Sequence, residues 1–175
     1  KILISTPDTS SDIFSRSVVL IIENNKEGSF GLVLNKKNNE LSFKVSQIID
    51  HHFDVYVGGP VENDKIFFIV KDVKVTESFI KIDDDFYLTE DIEAVVTAIL
   101  EQGLSKNLVK IFSGYAGWEP NQLEFEINNK YWKVVDSYAF DLLDDFENDL
   151  WKNIMENLGG SYLIFSNSPE DASLN

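Results

Sequence analysis

Residues Gly114-Tyr-Ala-Gly-Trp-Glu-Pro-Asn-Gln-Leu-Glu124 constrain the fold most, because strand, turn and helix signals meet in this one stretch. The apolar run Leu108 to Ser113 reads as a buried strand. Two glycines follow it and admit backbone shapes closed to other residues. Pro120 presets a helical φ at a first helical position. A strand is therefore expected to turn sharply into a short helix over Pro120 to Ile127. No nucleophile, metal cage or phosphate loop accompanies this corner in the sequence.

The first half of the chain is strand-rich. β-Branched and apolar runs at Ile2 to Ser5, Ser17 to Glu23, Gly31 to Asn35, Val55 to Val57, Lys65 to Val70 and Ser78 to Ile82 predict strands. Asn24 to Gly28 supplies turn residues between the second and third, which predicts an antiparallel pair. A short helix is expected over Phe43 to Ile49. Beyond residue 88 the period changes. Ile92, Val95, Val96, Ile99 and Leu100 share helical spacing, with Thr89 as N-cap and Gly103 near the stop. Phe146, Leu150, Trp151, Ile154 and Leu158 form a second such pattern ending at Gly159-Gly160, and Tyr131 to Val135 reads as a strand. Strands first and helices mostly later give an α+β class with a mixed, largely antiparallel sheet. Partial closure as a barrel, with flanking helices, would manage the strand edges. A single domain over residues 1–166 is expected, with 167–175 as an exposed tail.

Composition excludes several chemistries. The chain of 175 residues has no cysteine, which removes disulfides, thiolate metal sites and cysteine nucleophiles and suits a reducing, cytoplasmic setting. No apolar stretch is longer than Val18 to Ile22, which is far shorter than the roughly 20 residues of a membrane helix, so no membrane partner is expected. The formal charge of -15 is uneven. Residues 1–80 carry 9 basic and 11 acidic groups, whereas residues 81–175 carry 6 and 19. Nucleic-acid affinity rests largely on Lys and Arg at phosphates, so direct nucleic-acid binding is disfavoured.

Candidate chemistry is sparse. Asp50-His51-His52 with Asp54 offers carboxylate and imidazole ligands for a transition metal and supports an alternative reading as a metal-dependent hydrolase. No upstream paired aspartates complete such a site, and the first expectation is no metal and no cofactor. Gly58-Gly59-Pro60 and Gly114 to Gly117 match no phosphate-binding pattern and read as structural turns. Glu119, Gln122 and Glu126 would share a helix face beside Trp118, where capping or solvated roles are favoured over acid–base chemistry. Phe14 and Arg16 are placed to set the guanidinium over an aromatic ring or a carboxylate.

Taken together, Leu3-Ile-Ser-Thr-Pro7, Phe14-Ser-Arg-Ser-Val-Val19, Gly31-Leu-Val-Leu-Asn35, Gly58-Gly-Pro-Val61 with Asp64, and Gly114-Tyr-Ala-Gly-Trp118 followed by Gln122-Leu-Glu124 resemble the YqgE/AlgH family of bacterial proteins. Trp132 and Trp151 fall where that family has tryptophans. The resemblance covers nearly the whole chain and implies a single α+β domain with an unusual, partly closed mixed sheet. It implies no catalytic residues; the family is labelled as transcriptional regulators from genetic effects in one lineage. Val70 stands where the family often has histidine, so no role of that histidine carries over. The expectation is a non-enzymatic regulatory or binding protein with a protein or small-molecule ligand, whose exposed edge strand leaves room for a homodimer. Arg16, Asn35, Tyr115, Trp118, Gln122 and Glu124 are the candidate ligand-binding residues, with Gly58, Gly59, Pro60, Gly114 and Gly117 as structural positions.

Overall fold

A computed structural model describes residues 1–9, 12–49, 53–71, 73, 77–136, 140–145 and 149–168. Its strands are β1 (Ile2–Ser5), β2 (Val18–Asn25), β3 (Gly28–Val33), β4 (Val55–Val57), β5 (Val61–Lys71), β6 (Ile80–Lys81), β7 (Phe86–Thr89), β8 (Val109–Trp118) and β9 (Trp132–Val135). The α-helices are α1 (Asn39–Ile49), α2 (Ile92–Leu100), α3 (Gln122–Asn128), α4 (Asp149–Leu158) and α5 (Ser161–Ser166). The strands join in one sheet of order β6-β7-β5-β8-β3-β2-β1-β9, with β4 paired to β8 off this path. Among the described residues only the β4–β8 pair is parallel, which makes the sheet mixed and largely antiparallel as expected. The sheet stays open, with β6 at one end and β9 at the other, so the expected partial barrel closure is replaced by two short edges. Edges this short offer little template for pairing with another chain.

Period-two alternation sorts the core onto two faces. Ile2 and Ile4, Val18 and Leu20, Leu32 and Leu34, Phe67 and Ile69, and Phe112 point to one face, where Leu142 and the α4 residues Trp151 and Met155 cover them. The intervening residues point the other way. Leu3, Val19, Val33 and Ala116 meet Leu123 of α3, while Val55, Phe68, Val70 and Ile111 meet Val95 of α2 and Leu41 and Val45 of α1.

Strand β8 holds the two halves together and departs most from expectation. It does not turn at Gly114 but runs on to Trp118. Residues 111–113 pair with β4, whereas residues 116–118 pair with β3, so β8 exchanges one neighbour for another at Gly114. On its other side β5 pairs at Val61 and again from Ile66, with a register shift between them. Gly114 sits at φ 66°, and a Cβ there would lie 2.6 Å from the Gly59 carbonyl oxygen. The Gly58-Gly59 backbone crosses at this point: Gly58 N–H donates to Ser113 and its carbonyl accepts from Val33. The glycines permit two strands to exchange places at van der Waals distance.

Other boundaries also move. Asn121, with φ 67°, precedes α3, and Pro120 lies in the turn before it rather than at its first residue. Thr89 belongs to β7, which was not expected. Asp91 is the N-cap of α2, its carboxylate accepting from Ala94 N–H at 3.0 Å. Helix α2 buries Val95 and Ala98, while Ile92, Val96 and Leu100 face outward, because nine residues present only one narrow stripe to the sheet. The second predicted helix appears as α4 and ends before Gly159-Gly160 as expected, with Phe146 outside the described residues. Of the tail 167–175 only Asn167 and Ser168 are described, and they follow the unpredicted helix α5.

Candidate functional site

The sheet order β5-β8-β3 puts one aromatic residue from each strand side by side on a single face. Phe30 lies 5.5 Å from Phe67 and 5.1 Å from Tyr115 between ring centroids, and Phe67 and Tyr115 are 6.0 Å apart. These three rings floor an open groove of about 730 Å³. The β2–β3 hairpin forms one wall, Gly117, Trp118, Glu119 and Gln122 a second, and Ser78, Ile80, Leu88 and Thr89 a third. The interrupted β5–β8 pairing supplies the rest. Glu62, in the left-handed region at φ 48°, and Lys65 both come from the four unpaired residues and both line the groove. Bulged strands of this sort recur beside binding sites, where they re-aim side chains.

The rim is acidic. Glu23, Glu27, Glu62, Glu77, Glu90 and Glu119 surround the opening, all exposed, and among the described residues Lys65 is the one basic residue lining it. Lys65 shows how the groove treats a cation: its ammonium lies 2.6 Å from Glu90, 3.9 Å from Glu62 and 5.3 Å from the centre of the Phe67 ring. The hydrogen bond to Glu90 raises its pKa above the ordinary lysine value. Aromatic faces and carboxylates both favour positive charge, and here they act on one space.

Beneath the α3 wall, Trp118 is a packing joint. Both its indole N–H and that of Trp132 donate to the same Glu126 oxygen, at 2.9 and 2.7 Å. Phe14 stacks on Trp118 at 6.2 Å and meets Trp132 edge-on at 5.5 Å. Gln122 continues the chain of contacts, donating to Glu126 at 3.0 Å and accepting from Glu119 N–H at 2.9 Å. The expected face of residues 119, 122 and 126 is thus formed, and it caps and clamps.

The structure brings Tyr115, Trp118 and Gln122 to the groove and leaves the other three candidate ligand residues elsewhere. Asn35 is buried and ties β2 to the preceding loop, accepting from Val18 N–H and donating to the Arg16 carbonyl, both at 2.9 Å. The Arg16 guanidinium lies 5.2 Å from the Trp151 ring centre, over an aromatic ring, and donates to the Ser168 carbonyl. Glu124 is exposed on α3 outside the groove. Asp54 is paired with Lys37 at 2.7 Å, whereas Asp50, His51 and His52 lie outside the described residues. Among the described residues no group of three or more histidines and carboxylates could hold a metal ion. Phe30, Phe67 and the glutamate rim escaped sequence reading, since one aromatic per strand looks like ordinary core.

A second cavity, of about 300 Å³, lies at the other end of β8. Lys110, only 4% exposed, lines it. Its ammonium lies 4.2 Å from the Tyr56 ring centre and donates to the Asp144 carbonyl at 2.5 Å. Burial lowers its pKa to about 7, against the opposing pull of Asp145, Asp144, Asp54 and Asp141. The signal in the sequence was a lysine inside the apolar run Leu108 to Phe112. A lysine whose folded pKa lies below its unfolded value destabilises the fold while both states are protonated, and the cost fades as pH rises past 7. The stability of the wild type relative to Lys110→Met should therefore increase by about 1–2 kcal/mol between pH 7 and 8.5 in urea titrations. A difference that stays flat over this interval would show that the ammonium is not penalised.

Comparison with known proteins places the chain among relatives. The family model described as AlgH-like matches residues 2–163. A UPF0301 protein of Cytophaga hutchinsonii is 34% identical over 177 residues, covering 100% of this chain and 97% of the relative. One from Parabacteroides distasonis is 35% identical, covering 99% and 89%. The solution structure of the AlgH protein from Pseudomonas aeruginosa superposes with a TM-score of 0.73 at 24% identity, covering 98% of this chain and 94% of that one. A crystal structure from Corynebacterium diphtheriae gives 0.71 at 21%, covering 95% and 90%. At these identities the two structures speak for the fold. Among the described residues no helix is long and apolar enough to cross a membrane.

Proposed function

Because the chain belongs to the AlgH-like family, whose relatives' names assign no reaction, we propose that it is a non-enzymatic binding protein whose groove takes a basic peptide segment of a partner protein. The observation that supports this reading is the aromatic floor of Phe30, Phe67 and Tyr115 beneath six exposed glutamates. A cation entering there gains ring faces and carboxylates at once, as Lys65 already does. The groove is open and is lined both by the β2–β3 hairpin and by residues of β6 and β7, which leaves room for a peptide segment. Any regulatory role then works through protein contact in a cytoplasmic setting, and the formal charge of -15 argues against docking on a duplex.

The test is titration of a short Lys-Val repeat peptide against the protein, followed by tryptophan fluorescence, with a Glu-Val repeat as comparator. The basic peptide should bind and the acidic one should not. Replacing Glu62 and Glu119 by Gln should weaken binding about tenfold, the sum of two partly screened charge contacts. Raising the salt concentration should weaken it further. Equal binding of both peptides, or no effect of the double substitution, would overturn the reading.

A further inference from the structure

The cavity at the far end of β8 has a chemistry unrelated to that of the groove. We propose that Lys110 is a covalent capture site for small uncharged aldehydes or ketones, its ε-amine forming an imine with a carbonyl compound held in this cavity. The geometry comes first. The cavity of about 300 Å³ sits at the small end of the range for ligand sites, and Phe53, Val109 and Leu143 give it apolar walls. Lys110 lies against this space under the segment 141–145, almost sealed from bulk water.

Several charged groups face the amine, and most of them also hold other partners. Asp54 pairs with Lys37 at 2.7 Å, Asp141 with Lys71 at 3.4 Å, and Asp145 accepts the Tyr56 hydroxyl at 2.6 Å. Asp144 presents its backbone carbonyl to Lys110. Lys106, also on the cavity wall, lies 5.9 Å from the Phe53 ring centre. Desolvation outweighs the attraction of these carboxylates, and a large neutral fraction of Lys110 exists at neutral pH. A desolvated amine is the usual form of a nucleophilic lysine, and here it is the burial of Lys110 rather than the mixed lining of the cavity that supplies the desolvation. Lys65 and Lys81 are shifted the opposite way and stay protonated.

The step balances without any oxidant or reductant. The Nζ lone pair attacks the carbonyl carbon, and the carbonyl oxygen takes up a proton to give a carbinolamine. That oxygen then leaves as water, which carries away the two amine hydrogens, and a C=N bond replaces the C=O bond. The Tyr56 hydroxyl, held by Asp145, is the neighbouring group for proton exchange. The surrounding aspartates repel carboxylate and phosphate, so the carbonyl compound is a neutral one with a short apolar chain.

The experiment exposes the full-length protein to butyraldehyde and cyanoborohydride at pH 7 and maps the alkylated lysines by peptide mass spectrometry. Lys110 should be modified at least about tenfold faster than Lys106, its neighbour on the cavity wall. The preference should vanish in concentrated urea, and glyoxylate, an anionic aldehyde, should not show it. Tyr56→Phe should slow the labelling of Lys110 and leave that of the exposed lysines unchanged. Labelling of Lys110 no faster than Lys106, or equal preference for glyoxylate, would overturn the proposal.

Discussion

Replacing Gly59 by alanine should lower the unfolding free energy by about 3 kcal/mol or more, toward the upper end of what overpacking costs. The new methyl carbon would lie 2.1 Å from the Tyr115 carbonyl carbon and 2.3 Å from the Ala116 nitrogen. Both are backbone atoms in the middle of β8, which is hydrogen-bonded on either side and cannot move aside as a side chain could. Gly103→Ala is the matching control. That position has φ 74° but no atom within 4 Å of the added carbon, so it should lose only the conformational term, about 1 kcal/mol. Urea midpoints of the two variants separate close approach from backbone strain. A loss at Gly59 no larger than that at Gly103 would mean the strand crossing is looser than its distances suggest.

Glu126→Ala should cost about 3 kcal/mol, because one carboxylate oxygen serves two indole donors. Removing it strands two partly buried N–H groups, each a charge-assisted hydrogen bond of about 1.5–3 kcal/mol, with relaxation and water recovering part of the loss. Glu126→Gln keeps one oxygen in place and should lose roughly half as much. Near-ultraviolet circular dichroism checks the cause, since Phe14, Trp118 and Trp132 form a single aromatic cluster. The alanine variant should lose aromatic signal while its far-ultraviolet spectrum is kept. An unchanged aromatic signal with full stability would show that the clamp is ornamental.

How much of this was legible depended on whether a residue's role is set locally. β1 and β4 fall on their expected boundaries because short β-branched runs bounded by turn residues have few alternatives. The strand expected from sequence ends at Ser113 since a glycine reads as a stop, yet at φ 66° Gly114 serves as the point where one neighbouring strand gives way to another. Nothing near Gly114 in sequence announces Gly58-Gly59, which completes the crossing from more than fifty positions away. The candidate site divided along the same line. Tyr115, Trp118 and Gln122 stand close together in the chain, and all three line the groove. Phe30, Phe67 and the glutamates come from separate elements, and only the sheet order makes them neighbours. Asn35 and Arg16 lie away from the groove, Asn35 bonded to the backbone of Val18 and Arg16 and the Arg16 guanidinium over the ring of Trp151.

The exchange of partners along β8 also bears on how the chain is made. During synthesis from the N-terminus, β1 to β3 and β5 to β7 can each assemble soon after they emerge, for their contacts are with near neighbours. Each assembly then has an unpaired edge, β3 on one and β5 on the other, and both wait for the same ten-residue strand. Until Trp118 has left the ribosome those edges of β3 and β5 have no partner strand in the nascent protein, and the two assemblies are tied through the backbone hydrogen bonds that residues 33–38 make with residues 55–58. That interval is when it is most exposed to mispairing with other chains.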